Sequence, residues 1–414
     1  MTDLTDVRWM RLTFVDVFGT GNAVQIPADR FEEVCARGLP FDGSSLEGRA
    51  RLFESDMLLL PDRQTVTGLG SSLARVVCNA ATIDGAPWAG DPRTALQRAV
   101  SRFGELSDAY TAGAELEFYL LNPDGRPVDE GGYYDEVEGA GTQVTREAAD
   151  ALRRAGLAID LCHHEAGPGQ YEINLPPAAP LALADALVFA KQTIKETANA
   201  AGVRATFMPR PLDDRPGSGL HLQQAAGDLL FDASGTLTET GRQFAAGQIA
   251  HAPALSALAA PTVNSYKRLH AGPEAPGAVV WAYSNRAALI RVSSYRGEAA
   301  SVEYRAADPL ANPYLLLAAL LATGFDGIEH ALELGPPAEE DAGGYDPASA
   351  LAVRYRPLPR DLDSALDALL ADDVVLDAFD GQLIARLVDG RRVEAESFRA
   401  HVTGWEIEAY RDLG

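Results

Sequence analysis

The sequence is poor in cysteine and in basic residues. Its three cysteines, Cys35, Cys78 and Cys162, are odd in number and far apart, so they indicate neither a disulfide framework nor a thiolate zinc site. We therefore expect a reducing compartment, the cytoplasm. The 35 Lys and Arg residues against 59 Asp and Glu residues give a net charge of −24. This excess opposes binding to nucleic acid or to an anionic membrane.

Long hydrophobic runs and the common nucleotide-binding loops are also missing. The longest apolar run, from Pro313 to Phe325, is too short to span a bilayer and predicts a core helix. The N-terminus has no basic segment followed by an apolar run, so we expect no export signal. Neither Gly-x-x-x-x-Gly-Lys-Ser/Thr nor a dinucleotide fingerprint occurs, so a bound nucleotide would need a different fold.

The first ninety residues read as strands and turns with little helix. Alternating apolar residues predict a strand over Trp9 to Val17 and a return strand over Ala23 to Ile26, and Pro27 opens a short helix.

A boundary is predicted near Gly90, where Asp91 can cap a helix that has Pro92 at its first position. We therefore predict a small domain over residues 1–90 and a large one over 91–414. A helix is expected from Ala184 to Ala201 in the large domain.

Two acids on one predicted strand, Glu115 and Glu117, are the centre of the candidate site. Side chains alternate along a strand, so both acids point away from the apolar Leu116 and Phe118. Like charges side by side repel, so a partly buried pair requires a cation or a shared proton. A divalent-metal site and a solvated strand face both remain open for this stretch alone.

Further polar residues fall on one face of later strands. Glu172 alternates with apolar neighbours, and His221 follows the glycine-rich Pro216-Gly-Ser-Gly. Taken singly, His221 is more often a hydrogen-bonded core histidine than a ligand, and the same holds for His163 and His164. Together, acids, a histidine and arginines suit Mg²⁺ or Mn²⁺ ions and a phosphate-bearing substrate, hence phosphoryl transfer.

The ordered motifs resemble the glutamine synthetase family, type I, from end to end. The matching stretches are Phe41-Asp-Gly-Ser-Ser45, Glu54-Ser-Asp-Met57, Glu115-x-Glu117-Phe118, His164-Glu165, Gly169-Gln-x-Glu172, Gly217-Ser-Gly-x-His221, Asn264-Ser-Tyr-Lys-Arg268, Asn285-Arg286, Glu303-x-Arg305, Ala311-Asn-Pro-Tyr314 and Val402-Thr-Gly-Trp-Glu406. The resemblance implies an α+β protein with an N-terminal β-grasp domain and a large catalytic domain whose antiparallel strands form a funnel. It also implies a dodecamer of two hexameric rings, in which a neighbour's N-terminal domain completes each site.

The resemblance also assigns roles to individual residues. It gives one metal ion Glu117, Glu165 and Glu172, and another Glu115, His221 and Glu303, with two or three ions in each site. The remaining assignments are Arg268 and Gly217 for glutamate, Arg286 and Arg305 for the phosphoryl group and the γ-carboxyl, Arg291 and Gln223 for the nucleotide, Glu274 as the flap acid that deprotonates ammonium, and Asp42 and Ser45 of a neighbouring subunit with Tyr133 and Glu165 for the ammonium pocket.

The chain departs from the family pattern mainly on the nucleotide side. Gln223 replaces a histidine, Ala225 a hydroxyl residue, Ser301 an arginine and Pro216 an asparagine. These changes remove positive charge, so weaker ATP binding is expected, and a specialised relative is favoured over a housekeeping enzyme. No match to the family's adenylylation segment is found.

Three functions remain open at this stage. The first is ATP-dependent ligation of glutamate to ammonia or a small amine such as hydrazine. The second is ligation of a polyamine or ethanolamine, or of another acid. The third is a binding or structural protein without catalysis, which the six retained ligand-type residues disfavour.

Overall fold

The computed structural model describes residues 6–47, 56–70, 72–270, 275–293, 300–339 and 355–413. The strands are β1 Trp9–Val15, β2 Gly21–Pro27, β3 Leu39–Asp42, β4 Asp56–Gly68, β5 Leu73–Thr82, β6 Thr111–Leu121, β7 Leu161–His164, β8 Gln170–Ala178, β9 Arg204–Thr206, β10 Leu220–Ala225, β11 Ala278–Ala282, β12 Ala288–Val292 and β13 Val302–Tyr304. The helices are α1 Phe31–Arg37, α2 Pro92–Arg102, α3 Gly104–Ala109, α4 Ala140–Arg154, α5 Pro180–Ala200, α6 Glu239–Ala250, α7 Ala252–Ala259, α8 Ser265–Leu269, α9 Pro313–Glu329, α10 Leu362–Leu370, α11 Asp373–Leu376, α12 Gly381–Ala400 and α13 Gly404–Tyr410.

The N-terminal strands form a five-stranded sheet in the order β2-β1-β5-β4-β3. Only β1 and β5 pair in parallel, and the other neighbours are antiparallel. One face buries Leu12, Leu59 and Val76 under α1, which contributes Phe31. The alternation of apolar residues along β1 and β5 therefore produces a small separate core.

The remaining strands form the large sheet, in the order β11-β12-β13-β10-β6-β8-β7, with β9 beside β6. Its centre is antiparallel as predicted, but β11 and β12 at one end are parallel. Helices cover the outer face, and α9 is buried along nearly its whole length. This gives an α+β architecture in which the sheet's inner face is free to carry polar residues.

Local signals explain where several elements begin and end. The Asp91 carboxylate caps α2 by accepting from the Thr94 N–H, with Pro92 at the first position, as predicted. Helix α5 begins at Pro180 and not at Ala184. Pro180 occupies the first turn of the helix, where a proline is favoured because its missing N–H has no partner within the helix. Strand β1 ends at Val15, two residues before the predicted end, since Asp16 turns the chain by accepting from the Phe18 and Thr20 N–H groups.

Specific polar contacts join the two sheets' domains. The Arg93 guanidinium donates to Asp62 of β4 at 2.8 Å and to Asp185 of α5 at 3.0 and 2.9 Å. The Asn312 side-chain amide donates to the Asp16 and Val17 carbonyls, both at 3.2 Å. Within the described ranges, no helix is both long and apolar enough to cross a membrane.

Candidate active site

Strand β6 is the centre of the site, as the alternation of its residues predicts. Leu116 and Phe118 are fully buried on one face, and Glu115 and Glu117 project from the other. In register, Glu115 lies opposite His221 of β10, and Glu117 lies opposite Glu172 of β8. Hydrogen bonding between the strands therefore brings residues from distant parts of the chain into one cluster.

The first ligand group consists of Glu115, His221 and Glu303, whose donor atoms all lie within 4.8 Å of one another. The His221 Nδ1 is 2.7 Å from Glu115 Oε2 and 3.7 Å from Glu303 Oε1. Burial lowers the pKa of His221 to about 3, so its ring is neutral at physiological pH. A neutral imidazole beside two carboxylates is a suitable donor set for a divalent cation.

Two arginines hold the carboxylate of Glu303. Arg291 Nε lies 2.5 Å from Glu303 Oε2, and Arg305 NH1 lies 2.5 Å from Glu303 Oε1. Burial lowers the pKa of Arg305, but the charge of Glu303 outweighs it, and the net pKa is raised. Both guanidinium groups are thus fixed at the cluster as permanent positive charges.

The second group consists of His163, Glu165 and Glu172. His163 Nε2 is 3.3 Å from Glu172 Oε1, because β7 pairs with β8 and sets these two residues opposite each other. Burial, followed by the charge of Glu117, raises the pKa of Glu165 to about 8. Burial also raises the pKa of Glu172, to about 7, although the hydrogen bond to His163 opposes this rise. Such acids indicate a place where a cation would lower the free energy of the charged form.

His163 lies in the second group, although a histidine at such a position, taken singly, is more often a hydrogen-bonded core residue than a ligand. Adjacent residues of a strand point to opposite faces, so only one of His163 and His164 can face the acids. His164 takes the structural role, since its Nε2 is 2.8 Å from Asp129. Position relative to Glu172 would have distinguished the two histidines, but that register cannot be read from the sequence.

Glu117 lies between the two groups. Its Oε2 accepts hydrogen bonds from the Gly219 N–H at 2.8 Å and the Gln170 side-chain amide at 3.2 Å. Its Oε1 lies 3.8 Å from His221 Nε2. Gln170 was not foreseen as a site residue, and its role is to position Glu117.

A cavity of about 510 Å³ lies beside the acids and is lined by Glu117, Glu165, His221, Arg268 and Arg305. Another cavity, of about 610 Å³, lies away from these residues. The loop before β10 adds Arg210, Asp214 and Arg215 to the wall of the cavity beside the acids.

Arg268, which lines this cavity, is buried and donates to the Ala307 carbonyl at 3.0 Å and to the Arg305 carbonyl at 3.1 Å. Two glycines allow its approach. A Cβ at Gly217 would lie 2.7 Å from Arg268 Cγ, and one at Gly219 would lie 2.6 Å from Arg268 NH2. The glycine-rich segment therefore brings the backbone close to the cavity.

Comparison with known families identifies this arrangement. Residues 89–410 match the family model described as "Glutamine synthetase, catalytic domain", and residues 6–82 match "Glutamine synthetase, beta-Grasp domain". The chain belongs to the glutamine synthetase family. It is therefore a glutamine synthetase-like ATP-dependent ligase, of a family that joins glutamate to an amine, uses divalent metal ions and forms oligomers.

Individual relatives cover nearly the whole chain. The glutamine synthetase of Mycobacterium tuberculosis H37Rv is 39% identical, over 99% of this chain and 97% of the relative. That of Thermotoga maritima is 38% identical, over 98% and 96%. Among solved structures, a GmaS/ADP complex superposes with a TM-score of 0.87 at 30% identity, covering both chains fully. The Plasmodium falciparum glutamine synthetase has the same TM-score at 20% identity and covers 99% of this chain and 96% of its own, which shows the fold.

Two of the predicted amine-side residues, Tyr133 and Asp42, lie in different domains. Tyr133 lies near the second group, with the Arg286 guanidinium carbon 5.6 Å from its ring and the His163 ring 5.8 Å away. Asp42 ends β3 in the N-terminal sheet, where it accepts from the Ser44 N–H at 3.2 Å. The side chain of Ser45 and all of Glu274 lie outside the described residues.

The family departures take part in the local hydrogen bonding. Gln223 Nε2 donates to Glu115 Oε1 at 2.5 Å, and a Cβ at Gly113 would lie only 3.2 Å from Gln223 Oε1. The Pro216 carbonyl accepts from the Tyr119 hydroxyl at 2.7 Å. Ser301 is buried and its N–H donates to Ser293 Oγ at 3.2 Å. Gln223 thus lies among the candidate metal ligands.

The donor set fits Mg²⁺ or Mn²⁺. Both groups offer carboxylate oxygens and imidazole nitrogens, and neither contains a cysteine, which excludes a thiolate metal site here. The raised pKa values of Glu165 and Glu172 show that the acids are charged at a cost when no cation is near.

Proposed function

We propose that this protein forms a γ-glutamyl amide from glutamate and ammonia or a small amine such as hydrazine or methylamine, with conversion of ATP to ADP and phosphate. The observation that carries the proposal is that a cavity of about 510 Å³ is lined by one member of each acid–histidine group, His221 and Glu165, together with Arg268 and Arg305. The altered nucleotide-side residues favour a role in specialised metabolism.

Metal binding falls to the two groups already described. Glu115, His221 and Glu303 would hold one ion, and Glu165 and Glu172, with Glu117 or His163, would hold another. When bound, these ions neutralise phosphate oxygens and so permit a carboxylate to approach ATP. We propose two ions, the number for which the described donor groups provide.

Glutamate would lie in the cavity with its α-carboxylate on Arg268. That guanidinium is desolvated, and its interactions with the Ala307 and Arg305 carbonyls fix its plane. A fixed, desolvated guanidinium binds a carboxylate strongly and in one orientation. The γ-carboxylate would then extend toward Arg305 and the acids.

The proposed reaction has two steps. A γ-carboxylate oxygen of glutamate attacks the γ-phosphorus of ATP, and the bond to ADP breaks. The amine nitrogen then attacks the acyl carbon, phosphate leaves and the nitrogen loses a proton. Arg286 and Arg305 are proposed to stabilise the negative charge of the phosphoryl group during its transfer. Glu274 is proposed as the base that takes the proton from the amine nitrogen.

The amine site is proposed to be small and acidic. Glu165 and Tyr133 would contribute to it: Glu165 lines the cavity, and Tyr133 packs against Tyr134, whose ring centroid is 4.0 Å away, and near His163 of the second group. A carboxylate-lined pocket gives an ammonium charge-assisted hydrogen bonds, whereas an alkyl tail beside the acids would be costly. This favours ammonia, hydrazine or methylamine over a polyamine or ethanolamine.

Asp42 and Ser45 are proposed to reach this pocket from a neighbouring subunit of a dodecamer built from two hexameric rings. Asp42 ends β3 of the N-terminal sheet, and Ser45 lies in the short 3-10 helix that follows it. Among the described strands, β3 is at the edge of its sheet and pairs only with β4. An edge strand can meet another subunit without disturbing its own sheet, which supports this proposal.

The test is ATP-dependent phosphate release with glutamate, Mg²⁺ and ammonium, methylamine or hydrazine, followed by mass spectrometry of the product. Release should require both glutamate and an amine, and the mass should equal that of the γ-glutamyl amide. Glu303→Gln should reduce the rate by about a hundredfold or more, the scale for losing a charge-stabilising group. Glu32→Gln, at an exposed position in the N-terminal domain, is the matched control. Phosphate release that is independent of glutamate, or unchanged in Glu303→Gln, would refute the proposal.

A further inference from the structure

A second cavity, of about 440 Å³, lies between the N-terminal sheet and α5, away from the acid groups. Among the described residues that line it, four are basic, Arg11, Arg75, Lys191 and Lys195, and one is acidic, Glu196. Glu196 is already paired with Arg11 at 3.0 Å. In a chain of net charge −24, this concentration of positive charge is a distinctive local feature.

Arg75, on β5, is the most unusual of these residues. It is 6% exposed, and its Nε is buried with no hydrogen-bond partner in the part of the chain that the structure describes. Its guanidinium carbon lies 4.1 Å from the centroid of the Phe189 ring. The ring of Phe189 offers the guanidinium a cation–π contact but no hydrogen-bond acceptor. Burying an N–H of an ionised group without an acceptor is costly, so its presence at a cavity wall points to an anion that completes the site.

The carboxylate that attracts Arg75 most, Asp185, does not fill this need. Both of its oxygens accept from Arg93, at 3.0 and 2.9 Å, and one also accepts from the Tyr314 hydroxyl at 2.6 Å. Asp185 therefore serves the contact between α2, α5 and α9. Asp185 thus leaves the Arg75 Nε without an acceptor among the described residues.

The opposite wall supplies two amines from one face of α5. Lys191 Nζ donates to the Pro309 carbonyl at 2.9 Å, and desolvation lowers the pKa of this amine to about 8. Lys195 Nζ lies 5.6 Å from the centroid of the Phe207 ring. Two walls of positive charge thus face one small space.

We propose that this cavity binds a small metabolite carrying carboxylate or phosphate groups, with Arg75 as its main contact and Lys195 as a second. A guanidinium binds both kinds of group through paired N–H donors. A volume of about 440 Å³ suits a small molecule. Phe189, Val188 and Leu310 give the ligand's carbon skeleton an apolar surface.

Binding would stabilise the packing of the N-terminal domain on α5. Arg11 and Arg75 belong to the first domain, whereas Lys191 and Lys195 belong to the second. A ligand that contacts both is bound by the folded, docked state and not by the unfolded chain. The midpoint of thermal unfolding should therefore rise with ligand concentration.

Isothermal titration calorimetry of the full chain, in a low-salt buffer without ATP or glutamate, tests the proposal. Succinate is the carboxylate probe and inorganic phosphate is the phosphate probe, and at least one should bind. Arg75→Gln should weaken that binding about tenfold or more, as expected for a lost charge-assisted bond. Lys195→Gln, at an exposed position that should not impair folding, should weaken it several-fold.

Two control variants locate the binding. Arg63→Gln removes an exposed arginine of the same N-terminal sheet and should leave affinity unchanged. Arg305→Gln removes positive charge from the catalytic cavity and should also leave affinity unchanged. If neither probe binds, or if Arg305→Gln abolishes binding while Lys195→Gln does not change it, the second site does not exist. Either result leaves the ligase assay, which measures the other cavity, unaffected.

Discussion

The side-chain amide of Gln223 donates a hydrogen bond of 2.5 Å to Oε1 of Glu115. Glu115 also lies 2.7 Å from His221 through its other oxygen, so both of its oxygens are held. A histidine is expected at position 223 from the family pattern. The neutral amide of Gln223 therefore contacts the candidate metal ligand Glu115 at the position where the family pattern has the ionisable ring of a histidine.

Restoring positive charge on the nucleotide side should strengthen ATP binding. Gln223→His combined with Ser301→Arg is expected to lower the KM for ATP about tenfold, because each charge-assisted contact contributes about 1.5 to 3 kcal/mol and part is lost to desolvation. Steady-state kinetics at saturating glutamate and amine measure the change. Gln64→His with Ser101→Arg, both at exposed positions, is the control pair. An unchanged KM would mean that ATP phosphates lie away from positions 223 and 301.

Mixing of inactive subunits tests whether sites are shared. Asp42→Ala and Glu303→Gln, co-expressed with different tags, should recover about a quarter of the wild-type activity if the subunits assemble at random, since a quarter of the sites then have both residues intact. The isolated mixed assembly is assayed for amide formation.

The control for this experiment co-expresses two single variants, Glu115→Gln and Glu303→Gln, in separate tagged subunits. These two residues lie in one subunit's cluster, so mixing cannot restore a site. Recovery in the control as well, or no recovery with Asp42→Ala, would show that Asp42 does not act across subunits.

The alternation of residues on β6 and β8 was enough to predict which acids share a face. That Glu115 and Glu117 lie opposite the apolar Leu116 and Phe118 follows from the two-residue period alone. The start of α2 was predictable for the same reason, because the Asp91 cap and Pro92 act within one turn of the chain. Local rules determine both features.

Features that depend on register or burial could not be predicted. The place of His163 beside Glu172 depends on which residues of β7 and β8 pair, and either histidine of the pair satisfies the local pattern. Arg75 looks like an ordinary strand residue in the sequence. Only when α5 packs over the sheet is its Nε buried without a hydrogen-bond partner among the described residues. The parallel pairing of β11 with β12 likewise depends on the path of the connecting loop.

His251, at the end of α6, should make stability depend on pH. Its ring nitrogens lie 2.7 Å from Asp372 Oδ2 and 3.0 Å from Asp326 Oδ2. The other carboxylate oxygen of Asp326 lies 3.0 Å from His330 Nδ1. Burial lowers the pKa of His251, but the hydrogen bonds to Asp372 and Asp326 outweigh this, and the net pKa is raised above 6.5. Its contribution is therefore full below the unfolded pKa and is lost as the pH rises through the folded pKa.

Thermal unfolding of wild type and His251→Gln from about pH 6 to about pH 9 measures this effect. The wild type should be the more stable protein at the acidic end, and the difference should shrink as the pH rises. His401→Gln, at an exposed position, should show the wild-type profile. A difference that grows with pH would contradict the assigned direction.

The amine preference tests the central claim most directly. The enzyme, with ATP, Mg²⁺ and glutamate, is given ammonia, hydrazine, methylamine, ethanolamine, putrescine and spermidine in separate assays, and the γ-glutamyl products are quantified by mass spectrometry. The kcat/KM values should rank ammonia, hydrazine or methylamine first, because an alkyl tail beside the carboxylates of the proposed amine site would be costly, whereas a small ammonium gains charge-assisted hydrogen bonds there. A polyamine or ethanolamine that proved the best substrate by tenfold or more would contradict the account.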